Sequence, residues 1–138
     1  MITAVDTNVL LDLFFDDPAY RRLSLAALRD CLDAGPLIAC DVVWAEVRAF
    51  FPDDAAASNA LSGIPVEYSP IDASAAVRAG AAWSAYRRAG GPRERVIGDF
   101  LVGAHALEQA ERLLTRDRGF QRAAFAGLVI VDPSASLG

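Results

Sequence analysis

The sequence contains no lysine; all 13 of its basic residues are arginine. That removes a phosphate-binding P-loop lysine, a Schiff base and lysine-dependent receiver-type phosphorylation. Histidine occurs once, at His105, and cysteine twice, at Cys31 and Cys40. Such a set cannot build a nitrogen- or sulfur-ligated zinc site. The two thiols read as buried and free, in a reducing cytoplasm. There is no Gly-x-Ser-x-Gly elbow, which argues against a Ser-His-Asp hydrolase and leaves His105 as a structural residue. No apolar run approaches the roughly 18–20 residues that span a bilayer, so no membrane segment is expected. The first residues lack a basic stretch followed by an apolar one, so no signal peptide is expected either. A net charge of −5 argues against a passive nucleic-acid coat. It leaves room for an enzyme whose acids gather in one cleft. Repeats, linkers and low-complexity tracts are also missing.

What is present is apolar surface. Of 138 residues, 54% are hydrophobic, enough for one compact domain over residues 1–138 with a core of its own. Short apolar runs predict strands at residues 2–5, 37–40, 66–69, 113–115 and 128–131. Between them, helices are predicted over 8–15, 17–34, 42–51, 53–61, 72–89 and 98–112, with a shorter one over 118–125. Asp17-Pro18 is the start signal for the second of these, and Gly35-Pro36 its stop. Short apolar strands separated by helices imply an α/β sandwich, a parallel sheet covered on both faces. In such sheets ligands collect beyond the carboxyl ends of the strands, where the strand order reverses.

Acids stand just there. Asp6, Asp41, Asp117 and Asp132 follow the first, second, fourth and fifth predicted strands. Asp41 reads as a helix cap, which contributes about 1 kcal/mol, and Asp132, before Pro133, as solvated. Two further acids lie on helices. Glu46 shares a face with Val43, Val47 and Phe50 at helical spacing, either at the edge of the apolar stripe or buried in a site. An unpaired buried carboxylate would cost several kcal/mol. Asp99 opens a helix whose 99, 102, 103 and 106 face is Asp, Val, Gly and Ala. It suits both a dipole-complementing first turn and a position aimed at the strand ends. Asp117 suits both a cap and a site.

Taken in order, Asp6 in VDTNVLL, Glu46 in WAEVRAF, Asp99 in GDFLVGAHAL and Asp117 in LTRDRGF resemble the PIN-domain nucleases. The likeness is strongest to small VapC-like toxins of toxin–antitoxin pairs, and it spans nearly the whole chain. It implies a three-layer α/β sandwich with a five-stranded parallel sheet of order 3-2-1-4-5. Asp6 and Asp117 then flank the reversal point. It further implies that Asp6, Glu46, Asp99 and Asp117 hold Mg²⁺ or Mn²⁺, with Asn8 and Thr115 as supporting polar residues. A homodimer and a blocking antitoxin partner are implied as well, and Phe14 and Phe15 offer an apolar surface for either.

The chemistry agrees with such a site. Carboxylates about 5 Å apart repel by about 3 kcal/mol per pair at an effective dielectric near 20. Protons, arginines or a divalent cation must offset that repulsion, and oxygen-only donors select hard ions. The expected reaction is hydrolysis of an RNA phosphodiester by a metal-activated water, leaving a 5′-phosphate and a 3′-hydroxyl. Glu46 is expected to act as a ligand, through a water, or by orienting the nucleophile. Arg93, Arg95, Arg116 and Arg118 are placed to meet RNA phosphates at the rim. The rival expectations are a catalytically silent PIN-like interaction module and a small-substrate metal phosphatase.

Overall fold

The computed structural model describes residues 1–135, the side chain of Arg118 excepted; residues 136–138 of the expected domain lie outside the described residues. The elements run β1 (Thr3–Val5), α1 (Thr7–Phe14), α2 (Arg21–Ala34), β2 (Leu37–Ala39), α3 (Asp41–Arg48) and α4 (Asp54–Ser62). They continue through β3 (Val66–Tyr68), α5 (Ala73–Arg88), α6 (Ile97–Gln109), β4 (Arg112–Leu114), α7 (Arg118–Ala124) and β5 (Ile130–Val131). The strands form one sheet of order β3-β2-β1-β4-β5, with every neighbouring pair parallel. This is the expected order.

Burial explains why the strands read as unbroken apolar runs. Thr3, Ala4 and Val5 are all buried, as are Leu37, Ile38 and Ala39, because both faces of the central strands are covered. At the edge, β3 buries Val66 and exposes Glu67 and Tyr68. The chain lays β2 and β3 on one side of β1, then crosses back to place β4 and β5 on the other. Right-handed crossovers therefore put α1–α4 on one face and α5–α7 on the opposite face. The two groups meet beyond the strand ends, where Gly98 approaches Val42. Phe100 anchors the α5–α7 side, its ring within 6.5 Å of those of Tyr86, Phe120 and Phe125. Cys31 and Cys40 are buried and free, and burial pushes both thiols up, that of Cys40 to about 11. His105 is buried too, its ring held by the Ser69 hydroxyl at 3.0 Å. No helix among the described residues is long and apolar enough to cross a membrane.

Three local expectations are corrected. Asp17 does not begin α2: its carboxylate accepts from the N–H groups of Ala19 and Tyr20, closing a separate turn, and the helix starts at Arg21. Cys40, not Asp41, is the N-cap residue of α3, and the Asp41 carboxylate accepts from the next N–H at 3.2 Å. Asp132 is half-buried rather than solvated, and it accepts from the N–H and hydroxyl of Ser134.

The helices α6 and α7 touch through Gly103. A Cβ there would lie 2.3 Å from both Gln121 Oε1 and Phe125 Cε2. Gly103→Ala is therefore expected to destabilise by about 1–3 kcal/mol, the usual cost of overpacking. A urea midpoint at or above the wild-type value would show that α7 yields to the extra methyl.

Candidate active site

Asp6 is the residue at which β1 ends and α1 begins. Its backbone N–H still pairs with Leu114 of β4, and its Oδ1 accepts from the N–H of Thr7 at 2.7 Å. Asp6 thus caps a helix, but only one of its oxygens is needed for that. The other accepts from the Thr115 hydroxyl at 2.7 Å. Burial, reinforced by the negative charges of Glu46 and Asp117, lifts its pKa from 3.8 to about 6. Thr115 is the hub of the arrangement. Its buried hydroxyl donates to Asp6 and accepts from Asn8 Nδ2 at 3.2 Å and from the N–H of Asp117 at 3.0 Å. A hydroxyl has one proton and two lone pairs, so Thr115 is saturated. Asn8 completes the link by accepting from the N–H of Arg116 at 3.2 Å.

The other acids arrive from α3, α6 and the end of β4. Glu46 is exposed on α3 and accepts from the Thr7 hydroxyl at 2.8 Å. Phe50, predicted on the same buried stripe, is 61% exposed, because α3 ends at Arg48 and the chain turns away. Asp99 sits in the first turn of α6 and accepts from the N–H of Val96 at 3.1 Å. Asp117 is gripped by both terminal nitrogens of Arg95, whose guanidinium also lies 4.3 Å above the Phe120 ring. The loop carrying Arg95 is itself pinned, since the Tyr86 hydroxyl donates to the Pro92 carbonyl and the Tyr86 ring leaves no room for a side chain at Gly91.

Asp6, Glu46, Asp99 and Asp117 all line one cleft, together with Thr7, Asn8 and Gln121. It opens beside the β1–β4 pair, where the strand order reverses. As placed, however, no three Asp, Glu, His or Cys side chains among the described residues are gathered closely enough to hold a metal ion. Arg95, the Val96 N–H and Thr7 each bond one of these acids. In kind, the donors fit a hard dication, being oxygens from four separate segments of chain.

The arginines divide. Arg95 reaches the acids and Arg93 is exposed nearby. Arg116 is committed elsewhere, with its guanidinium on both oxygens of Asp12 at 2.9 and 3.0 Å and 4.0 Å above the Tyr20 ring. Asp12 is 3% exposed and also accepts from Ser24 at 2.7 Å. Sequence reasoning passed over it; its signal is an acid inside the apolar run VLLDLFF. The side chain of Arg118 lies outside the described residues.

Residues 3–126 match the family model for the PIN domain, most of the chain. The chain belongs to the PIN domain family. Solved structures agree on the PIN fold. VapBC-1 from nontypeable Haemophilus influenzae superposes with a TM-score of 0.75 at 18% identity, over 97% of this chain and 99% of that one. DNA-bound VapBC from Salmonella typhimurium gives 0.72 at 19% identity, over 96% and 98%. A toxin–antitoxin complex from Klebsiella pneumoniae gives 0.62 at 26% identity, over 95% and 97%. A search of curated proteins found no match. In this PIN domain the sheet order is the one the resemblance implied, and the four acids line one cleft without gathering into a cluster among the described residues.

Proposed function

We propose that this chain is a Mg²⁺- or Mn²⁺-dependent endoribonuclease and the toxin of a toxin–antitoxin pair. The observation that carries the reading is the meeting of Asp6, Glu46, Asp99 and Asp117 in one cleft at the reversal point of the sheet. Asp6, Asp99 and Asp117 would hold the ion, and Glu46 would bind it directly, bind it through a water, or orient the nucleophile. A divalent ion bound there supplies positive charge to the phosphate and lowers the pKa of an attacking water. The chain's own groups do the positioning. Thr115 fixes Asp6 and the Asp117 backbone in one register, and Asn8 braces Thr115. Arg95, once exchanged from Asp117, stands ready for a phosphate oxygen, with Arg93 beside it and Arg118 nearby in sequence. Arg116 serves this reading chiefly through its backbone, since Asp12 holds its side chain.

The partner readings are part of the same proposal. Phe15 and Phe50, 47% and 61% exposed, pack ring against ring, with Phe51 on Phe15, beside the cleft and offer apolar surface to an antitoxin segment. A homodimer and a cytoplasmic setting complete it. The silent-module alternative draws on one observation, the ion pair that occupies Asp117. A cleavage assay on total RNA with Mg²⁺, Mn²⁺ or EDTA separates the readings. Metal-dependent fragments with 5′-phosphate and 3′-hydroxyl ends are expected, and none with EDTA. Thermal stabilisation by Mg²⁺ without any cleavage would favour the silent module. Faster turnover of a chromogenic phosphate monoester than of RNA would favour a phosphatase.

A further inference from the structure

The cleft by itself gives an RNA little to hold. The chain carries a net charge of −5, and four carboxylates line the cleft. Arg116 is held by Asp12 and Arg95 by Asp117, while Arg93 is exposed and can meet a phosphate. Arg48, just beyond Glu46 on α3, is turned to α4, where it donates to the Asp54 carbonyl and the Ser58 hydroxyl. An ion among the acids would offset their charge at the scissile phosphate, but it offers nothing to the bases. An RNA bound here gains from a contact that does not depend on charge.

The wall beside Glu46 offers one. Phe50 is the single aromatic residue lining the cleft among the described residues, next to Leu11 and Ala49. It lies in the turn that ends α3, four positions past Glu46, with its N–H on the Val47 carbonyl at 3.1 Å. Its ring is 61% exposed. Apolar residues exposed singly are ordinary. This ring is not single: Phe15 backs it at 6.3 Å with the planes tilted by 52°, and Phe15 in turn rests on Phe51 at 5.0 Å. The ring is thus propped from one side and borders the cleft with the other. Every nucleobase has a flat π face, so stacking on such a ring needs neither charge nor a particular sequence. We propose that Phe50 is a substrate-positioning residue, its ring stacking on an unpaired base next to the phosphate held at the acids. This rests on the ribonuclease reading of the cleft and adds a base contact to it. An antitoxin segment seated on the same rings would then exclude that base.

The test measures kcat and KM for wild type, Phe50→Ala, Phe50→Leu and Phe50→Tyr. The substrate is an RNA fragment spanning a cut site mapped in total RNA, intact or with an abasic nucleotide on either side of the cut. Phe50 is exposed, so the variants are expected to melt near the wild-type temperature. Phe50→Ala and Phe50→Leu are expected to raise KM about tenfold, the loss of one base–aromatic stack, with kcat unchanged. Phe50→Tyr is expected to keep the wild-type KM. One of the two abasic positions should raise the wild-type KM by the same factor and have no further effect in Phe50→Ala, as for two partners of one contact. A wild-type KM in Phe50→Ala overturns the proposal and leaves the ribonuclease reading standing. So does a KM raised in Phe50→Ala but restored in Phe50→Leu, which marks the ring as apolar packing or a protein-docking surface. So do abasic and Phe50→Ala effects that simply multiply. If Phe50→Ala melts well below wild type, equal KM values for Phe50→Leu and Phe50→Tyr overturn the proposal alone. A wild-type chain that cleaves no RNA overturns the ribonuclease reading, and this inference with it.

Discussion

Asp6→Asn is expected to cut RNA about a thousandfold more slowly in Mg²⁺, a loss of about 4 kcal/mol of transition-state stabilisation. The substitution is nearly isosteric but removes the charge on which the Asp6 role rests. Stability should move the other way or not at all. An amide can satisfy Thr7 or Thr115 through its oxygen but meets the other with a donor, so one hydrogen bond is lost, about 1 kcal/mol. Against that, the fold disfavours the ionised carboxylate, whose pKa is raised from 3.8 to about 6. An acid raised in the folded state contributes stability that is full below pH 3.8 and lost as pH rises through about 6. Melting curves of the metal-free chain should therefore fall across that window, and fall less in Asp6→Asn. Native-rate cleavage by a folded Asp6→Asn protein would end the assignment of the cleft.

Arg116→Ala is expected to destabilise by about 3–5 kcal/mol, the cost of stranding a buried charge. The residue concerned is Asp12, left with Ser24 as its remaining side-chain partner. Lost stacking on Tyr20 adds to the effect. Urea unfolding reads the loss. Pairing Arg116→Ala with Asp12→Leu should recover much of it, because the second change removes the charge left uncompensated. Wild-type stability in Arg116→Ala with a selective drop in RNA affinity would instead make Arg116 a rim contact.

The motif order carried most of the fold. The central strands β1 and β2 were legible because their apolar runs are buried on both faces, and helix ends were legible where Asp53 and Asp72 cap α4 and α5. The ends of α2 and α3 were not. Asp17 spends its oxygens on a turn, and Phe50 leaves the apolar stripe because the helix stops short of it. Within the site, the acids and the supporting Asn8 and Thr115 could be located from their neighbours in sequence, but the arginine pairings could not. Arg116 flanks Asp117 in the chain yet pairs with Asp12, and Arg95 crosses 22 positions to reach Asp117. Gln121 escaped notice because its place at the cleft wall is set by the packing of α7 on α6, which no local motif shows.

The grip of Arg95 on Asp117 bears on how the molecule is made. Without a counter-charge, four carboxylates converging late in folding would push apart the strand ends that present them. Here the chain brings its own counter-charge for one of the four, Arg95, stacked on Phe120 in a loop pinned by Tyr86, so less of the repulsion is left for an ion to offset. On the proposed metal-dependent reading, chelation is expected to silence the protein without unravelling it, so that a bound ion would switch on a scaffold already complete.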